Sequence, residues 1–212
     1  MIAISPPSAR RFLLGSLLGL GLWFAAGCNL IPEPTPDPTR FYVLTGPGLP
    51  ADVSAPDGTL RLGLRTVELA PYLRSRSLIV RGGRNEIIYQ DYARWAEPLE
   101  AGIARVLRAR LAIAPAVSRV YSQPFPFDRA RDFDVSVNVI RCEGVREGGT
   151  SAARFAAIVE IVHATSGDVV SRRMVVTPEV PWDGQDYSAL AEALSEAVGQ
   201  LAQQLVEHLP AP

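Results

Sequence analysis

The feature that most restricts the fold is a pair of period-two runs in the second half of the chain. Phe133, Val135, Val137 and Val139 alternate with Asp132, Asp134, Ser136 and Asn138, and Phe155, Ala157, Val159 and Ile161 repeat the pattern. Side chains of a strand point to opposite faces in turn, so each run predicts a strand with one apolar and one polar face. A third run, Val169 to Val176, follows Thr165-Ser166-Gly167-Asp168, which has hairpin-loop chemistry. Consecutive strands joined by short turns predict an antiparallel meander.

Two other stretches carry the helical period. Trp95, Leu99, Ile103, Leu107 and Leu111 recur every four residues, with Val106 beside them. They form one apolar stripe along an amphipathic helix. Pro98 suits its first turn, where the missing N–H costs nothing. Arg105, Arg108 and Arg110 fall on the other faces and toward the C-terminal end, where the helix dipole favours positive charge. The second helix runs through Tyr187, Leu190, Leu194, Val198, Leu201 and Leu205, with Asp186 as N-cap and Pro210 as its stop. Earlier strands are read at Phe41–Leu44 and from Leu60 to Leu69, with a bulge near Thr66. A hairpin of Ser77–Arg81 with Glu86–Tyr89 turns at Gly82-Gly83, and a short strand covers Val117–Tyr121. The expected fold is α+β, a mixed α/β sandwich. It has a mainly antiparallel or mixed sheet of about six to seven strands and two long amphipathic helices.

The amino-terminal stretch is of another kind. Arg10 and Arg11 precede an apolar run, Phe12 to Ala26, which ends in Ala25-Ala26-Gly27-Cys28. This is the layout of a bacterial secretory signal, and the run is shorter than the roughly 20 residues a membrane-spanning helix needs. The last four residues resemble a lipobox, although alanine stands at 25 where leucine is usual. The resemblance implies cleavage before Cys28 and acylation of its sulfur. Arg10-Arg11-Phe12-Leu13-Leu14 also fits a twin-arginine signal, a pairing that ordinary signals share, so the export route stays open. Asn29 follows the cysteine. By the sorting rule for such lipoproteins, asparagine in place of aspartate implies the periplasmic face of the outer membrane. Proline then stands at every second position from Pro32 to Pro38. Such a spacer favours extended polyproline II, and the eight residues from Ile31 to Pro38 reach roughly 25 Å. The chain therefore divides into a cleaved signal (1–27), a lipidated cysteine with a proline-rich linker (28–38) and one domain (39–212).

Charge is distributed unevenly. All 21 basic residues are arginine. Residues 61–131 hold 13 Arg against 6 acids, whereas residues 132–212 hold 5 Arg against 12 acids. The two halves neutralise one another when they fold together, and the split also suits head-to-tail self-association. Once Cys28 is acylated, Cys142 has no partner for a disulfide and reads as a small buried hydrophobe.

Recognisable chemistry is missing from the sequence. It contains no G-x-S-x-G, no H-E-x-x-H and no C-x-x-C. His163 and His208 stand apart from any ligand pattern, and Asp132 with Asp134 reads as a solvent-facing pair. No catalytic residue, metal or cofactor is expected, and the compartment argues against a nucleic-acid partner.

Two clusters carry a family resemblance. One is Val67-Glu-Leu-Ala-Pro-Tyr-Leu73 with Arg76 and Ile79-Val-Arg81; the other is Arg94-Trp-Ala-Glu-Pro-Leu99. With Phe41-Tyr-Val-Leu44 soon after a lipobox, they resemble the ABC-type transport auxiliary lipoprotein family. That family's fold is a mixed sheet with helices related to the N-terminal domain of TolB. The resemblance implies a non-enzymatic outer-membrane subunit of a system that moves phospholipid or other hydrophobic cargo. Its partners would be an MCE-domain protein with its inner-membrane permease and ATPase, the membrane itself through the acyl anchor, and other copies of the chain in a ring. Tyr72, Leu73, Arg76, Arg81 and Trp95 are the residues expected to meet a partner; core and turn roles for the same residues are the alternative. Two other functions fit such a domain: activation of a periplasmic peptidoglycan synthase, which a 25 Å linker hampers, and carriage of lipid in an apolar cleft.

Overall fold

The computed structural model describes residues 35–47 and 58–209, so the signal-like stretch, Cys28, Asn29 and the first half of the linker lie outside the described residues. In chain order the elements are β1 (Arg40–Tyr42), β2 (Leu60–Leu64), β3 (Glu68–Leu69), β4 (Ser77–Arg81), β5 (Ile87–Trp95), α1 (Leu99–Ala112), β6 (Val117–Ser122), β7 (Phe133–Glu147), β8 (Thr150–His163), β9 (Val169–Val176), β10 (Val180–Pro181) and α2 (Tyr187–Glu207). A 3-10 turn covers Pro71–Arg74.

β7 is the axis of the sheet. β8 runs antiparallel along one side of it and β9 antiparallel along β8, which is the meander expected from the period-two runs. Along the other side three strands lie parallel to β7 in succession: β2 beside Phe133–Val135, β3 beside Asn138–Val139 and β4 beside Gly144–Val145. β6 extends the sheet beyond β2, and β5 then β1 extend it beyond β4. The result is one mixed sheet of 10 strands, more than the six to seven expected. The strand read from Leu60 to Leu69 is divided into β2 and β3, and β10, with two residues, is too short to show a period. The bulge near Thr66 is present: from Leu64 to Glu68 the chain advances four residues while its neighbour advances three, from Val135 to Asn138.

A second bulge lies between Val139 and Arg141 on β7. It reverses the parity of the strand. Val135, Val137 and Val139 are buried before it, and Cys142 and Gly144 take the inward places after it. Gly144 is needed there, because a Cβ would sit 3.0 Å from the Trp182 ring and 3.1 Å from Leu190. Burial pushes the Cys142 thiol up to about 12, with the Glu143 charge adding to it, so it stays protonated and inert.

Both helices pack on the sheet and against each other. The Asp186 carboxylate caps α2 by accepting from the Ser188 N–H at 2.8 Å. Leu190, Leu194, Val198, Leu201 and Leu205 are buried along it as its spacing requires, each contributing roughly 1.5–3 kcal/mol. α1 begins at Leu99, after Pro98. Trp95 therefore corrects the sequence reading: it closes β5, with its backbone N–H bound to the Arg76 carbonyl at 2.6 Å, and is not on the helix. Its four-residue spacing to Leu99 arises because strand end and helix start face the same core.

Candidate docking surface

The polar centre of the molecule is a knot at the C-terminal end of β7. Glu143 lies on the face opposite Cys142, and its side chain is 0% exposed. An unpaired carboxylate at that depth would be prohibitive, so its two oxygens are matched by donors from distant segments. The Arg81 Nε donates to Oε1 at 2.7 Å and its Nη2 to Oε2 at 3.2 Å, a two-pronged contact. The Tyr72 hydroxyl stands 3.0 Å from Oε2 and 2.9 Å from the Ile140 carbonyl, sharing one proton between two acceptors. Burial, reinforced by the Glu143 charge, raises the Tyr72 pKa far above its ordinary value, and the Glu143 hydrogen bond raises that of Arg81. Tyr89 completes the knot by donating its hydroxyl to the Tyr72 carbonyl at 3.1 Å.

The five residues expected to meet a partner separate accordingly. Leu73 is 0% exposed and Trp95 3% exposed, so neither can touch one. Their apolar side chains complete the core, and this corrects the expectation that Leu73 faces outward. Tyr72 and Arg81 are half-buried and bound to Glu143, fixing the Pro71–Arg74 turn to the sheet. Only Arg76 is exposed. Tyr89, Tyr92 and Arg94 on β5 and Phe41 on β1, none of them among the five, are also exposed. Phe41 enters the sequence reading as a strand residue and as part of the segment that carries the family resemblance, not as a partner contact. The signal that could have found it is alternation at the chain's first strand, which puts Phe41 opposite the core residue Leu44 in phase.

A second set of charges lies at the N-terminal end of β7. Arg61 binds Asp132 through Nη2 at 2.6 Å and Nε at 3.2 Å, and its backbone N–H donates to the same carboxylate at 2.7 Å. Asp134 accepts from the Arg131 Nε at 2.8 Å and pairs with Arg65 at 3.5 Å. Asp134 is buried, which corrects its reading as solvent-facing. The segment from Ser122 to Asp132 carries Arg131 over β2, and Gly63 makes room for it. A Cβ at 63 would lie 2.2 Å from the Asp134 Oδ1 and 2.8 Å from the Arg131 Cδ.

A groove of about 530 Å³ opens beside this set, with Arg65, Glu68, Asn138, Ile158, Glu160 and Arg172 among its walls. Its arginines are matched by acids, Arg172 by Glu160 at 3.7 Å and Arg65 by Asp134. The space between β9 and the end of α2, lined by Val159, Ile161, Val175 and Leu205, is only about 10 Å³ and leaves no room for an acyl chain. Among the described residues no His, Cys, Asp and Glu cluster could hold a metal ion, and no helix is long and apolar enough to cross a membrane.

A mixed α+β sheet protein emerges, one whose polar groups are committed to fixing its strands. Residues 42–206 match the family model of the ABC-type transport auxiliary lipoprotein component, and the chain belongs to that family. Its fold is shared with a Xanthomonas campestris protein of the DUF330 family: 21% identity and a TM-score of 0.67, covering 79% of this chain and 93% of that one. The crystal structure of an uncharacterized protein is similar too, at 18% identity and a TM-score of 0.65, covering 81% of this chain and 99% of the other. No curated protein matches the chain.

Proposed function

We propose that this chain is a non-enzymatic subunit of an MCE-type ABC transport system. It is anchored through acylated Cys28 at the periplasmic face of the outer membrane, where Asn29 leaves it sorted. It docks to the MCE protein as phospholipid or other hydrophobic cargo passes. The observation that carries this reading is the family match over residues 42–206. The geometry supports it in a narrower way. Holding Glu143 in a buried knot gives the Pro71–Arg74 turn a fixed shape, and a fixed turn can present Arg76 to a partner at low entropic cost.

The test is crosslinking in intact cells followed by affinity purification of the full lipidated chain. Recovery of an MCE-domain protein with its permease and ATPase is the expected result; no such partner after crosslinking would overturn it. Arg76→Glu should weaken that recovery without unfolding the domain. Loss of globomycin-sensitive processing in Cys28→Ala, and a shift toward the inner membrane in Asn29→Asp, are the expected outcomes for the anchor. The arginine-rich and acid-rich parts of the chain further support a ring of copies meeting head to tail. A monomer by light scattering in both low and high salt would refute the ring.

A further inference from the structure

Exposed apolar side chains are not spread evenly over the described surface. One group sits on the free edge that β1 gives the sheet. Phe41 is 61% exposed and Tyr92 60% exposed, with Val43 also open to solvent. β1 pairs parallel with β5 so that Phe41 is in register with Arg94, and register partners share a face. Tyr92 lies two residues before Arg94, and burial alternates along this part of β5: Tyr92 and Arg94 are exposed, Ala93 and Trp95 buried. Phe41, Tyr92 and Arg94 thus crowd one face of the edge. Arg40, one residue before Phe41, is in register with the buried Ala93 and belongs to the other face, so Arg94 is the arginine that shares the face of Phe41 and Tyr92. Exposed aromatic rings beside an arginine form a surface chemistry suited to a headgroup layer carrying anionic lipid.

Chain connectivity selects the membrane among possible occupants. Arg40 follows Cys28 by only 12 residues, a tether that spans at most about 43 Å when fully drawn out. β1 is therefore the described element that follows an acylated Cys28 most closely along the chain. The other exposed apolar edge, with Met174 and Val176 on β9, lies across the sheet. Turning it to the membrane would lift β1 by about five strand spacings, roughly 24 Å. Most of the tether would be stretched to no gain.

We infer that the Phe41–Tyr92–Arg94 face rests on the phospholipid headgroup layer and sets the domain's orientation on the membrane. This rests on the reading of Cys28 as an acyl anchor. Arg94 attracts phosphate groups, while the Phe41 and Tyr92 rings enter the boundary between headgroups and acyl chains. The turn carrying Arg76 is then held just above the surface, where a partner delivering or taking lipid must come.

The full lipidated chain, reconstituted into vesicles of phosphatidylethanolamine and phosphatidylglycerol, provides the test. Phe41→Trp and Met174→Trp each add an exposed indole to the buried Trp95 and Trp182. A nitroxide on the lipid near the headgroup end of the acyl chain should quench most of the added emission in Phe41→Trp and shift the remainder to the blue. Met174→Trp should be unaffected. Flotation separates the two ways of failing. If the protein floats with vesicles and Phe41→Trp is quenched no more than Met174→Trp, the face is not on the membrane and the anchor stands. If it fails to float, the anchor reading falls and takes this inference with it. A blue shift of Phe41→Trp without vesicles, growing with protein concentration, would give the face to a second copy and likewise overturn the proposal.

Discussion

At the C-terminal end of β7, the Glu143 carboxylate is fully shut away from water and meets Arg81 in a two-pronged contact; at the N-terminal end, Asp132 meets Arg61 in much the same geometry while both side chains stay partly open to solvent. The residue types and distances barely differ. What differs is where water can go. Around Glu143 the Pro71–Arg74 turn and β4 close over the carboxylate, so each donor it lacks would leave a charge in a medium of low dielectric. Around Asp132 solvent can replace any donor that is lost, and the pair is expected to be worth little. The comparison teaches that ion-pair geometry alone does not rank importance in this fold; burial does.

The largest expected effect tests that statement directly. Arg81→Ala should destabilise the domain by about 3–5 kcal/mol, because it strands Glu143 as a buried charge. Urea unfolding followed by circular dichroism would measure it. The double change Arg81→Met with Glu143→Leu should recover most of the loss, since it removes the need for a partner along with the partner. A double variant as unstable as Arg81→Ala would mean that shape, and not charge burial, dominates the knot. Next in size is Tyr72→Phe, which keeps the ring and leaves the Ile140 carbonyl and the Glu143 Oε2 short of one proton. An expected cost of about 1–3 kcal/mol follows, measured the same way. A cost near zero would show that water reaches the knot, and the contrast between the two ends of β7 would disappear.

The sequence made one end of β7 far more legible than the other. Up to Val139 the period of two is unbroken, and both the strand and its meander with β8 and β9 could be read from it. The bulge between Val139 and Arg141 then changes the parity, and nothing in Ile140-Arg141 announces it locally. Glu143 was invisible for that reason: its partners lie 62 and 71 residues away, and only the placement of β4 beside β7 brings them together. β10 hid for a different cause, as it has too few residues to carry a pattern. Trp95 misled because a strand end and a helix start that line the same core can mimic a helical step. Of the residues singled out as partner contacts, the apolar ones were core, which their hydrophobicity alone would have favoured. Alternation alone sets Phe41 on the face opposite Leu44, but how far it is exposed depends on the edge position of β1, which is a fact of sheet order.

The smallest effect is expected at the open end, and its pH dependence separates the two ends most clearly. The Arg61 hydrogen bond, helped by the backbone N–H and charge of Arg61, holds the Asp132 carboxyl below its ordinary value of 3.8. A carboxylate whose folded pKa is depressed stabilises the fold fully above the unfolded value and loses that contribution as pH falls through the folded one. Wild type should therefore exceed Asp132→Asn in stability by a small, constant margin at neutral pH. The margin should shrink below 3.8 and vanish once Asp132 is protonated in the folded state as well. Added salt should reduce it at neutral pH, because exposed charges are screened. Thermal unfolding of the two proteins across an acid series, in low and high salt, would read both trends. A margin that survives both acid and salt cannot come from the backbone N–H of Arg61 donating to the side chain at 2.7 Å, because an asparagine oxygen also accepts it and it should cancel between the two proteins. Since it should cancel, a surviving margin could arise only if the carboxylate were shielded from water, and the N-terminal end of β7 would have to be grouped with the Glu143 end.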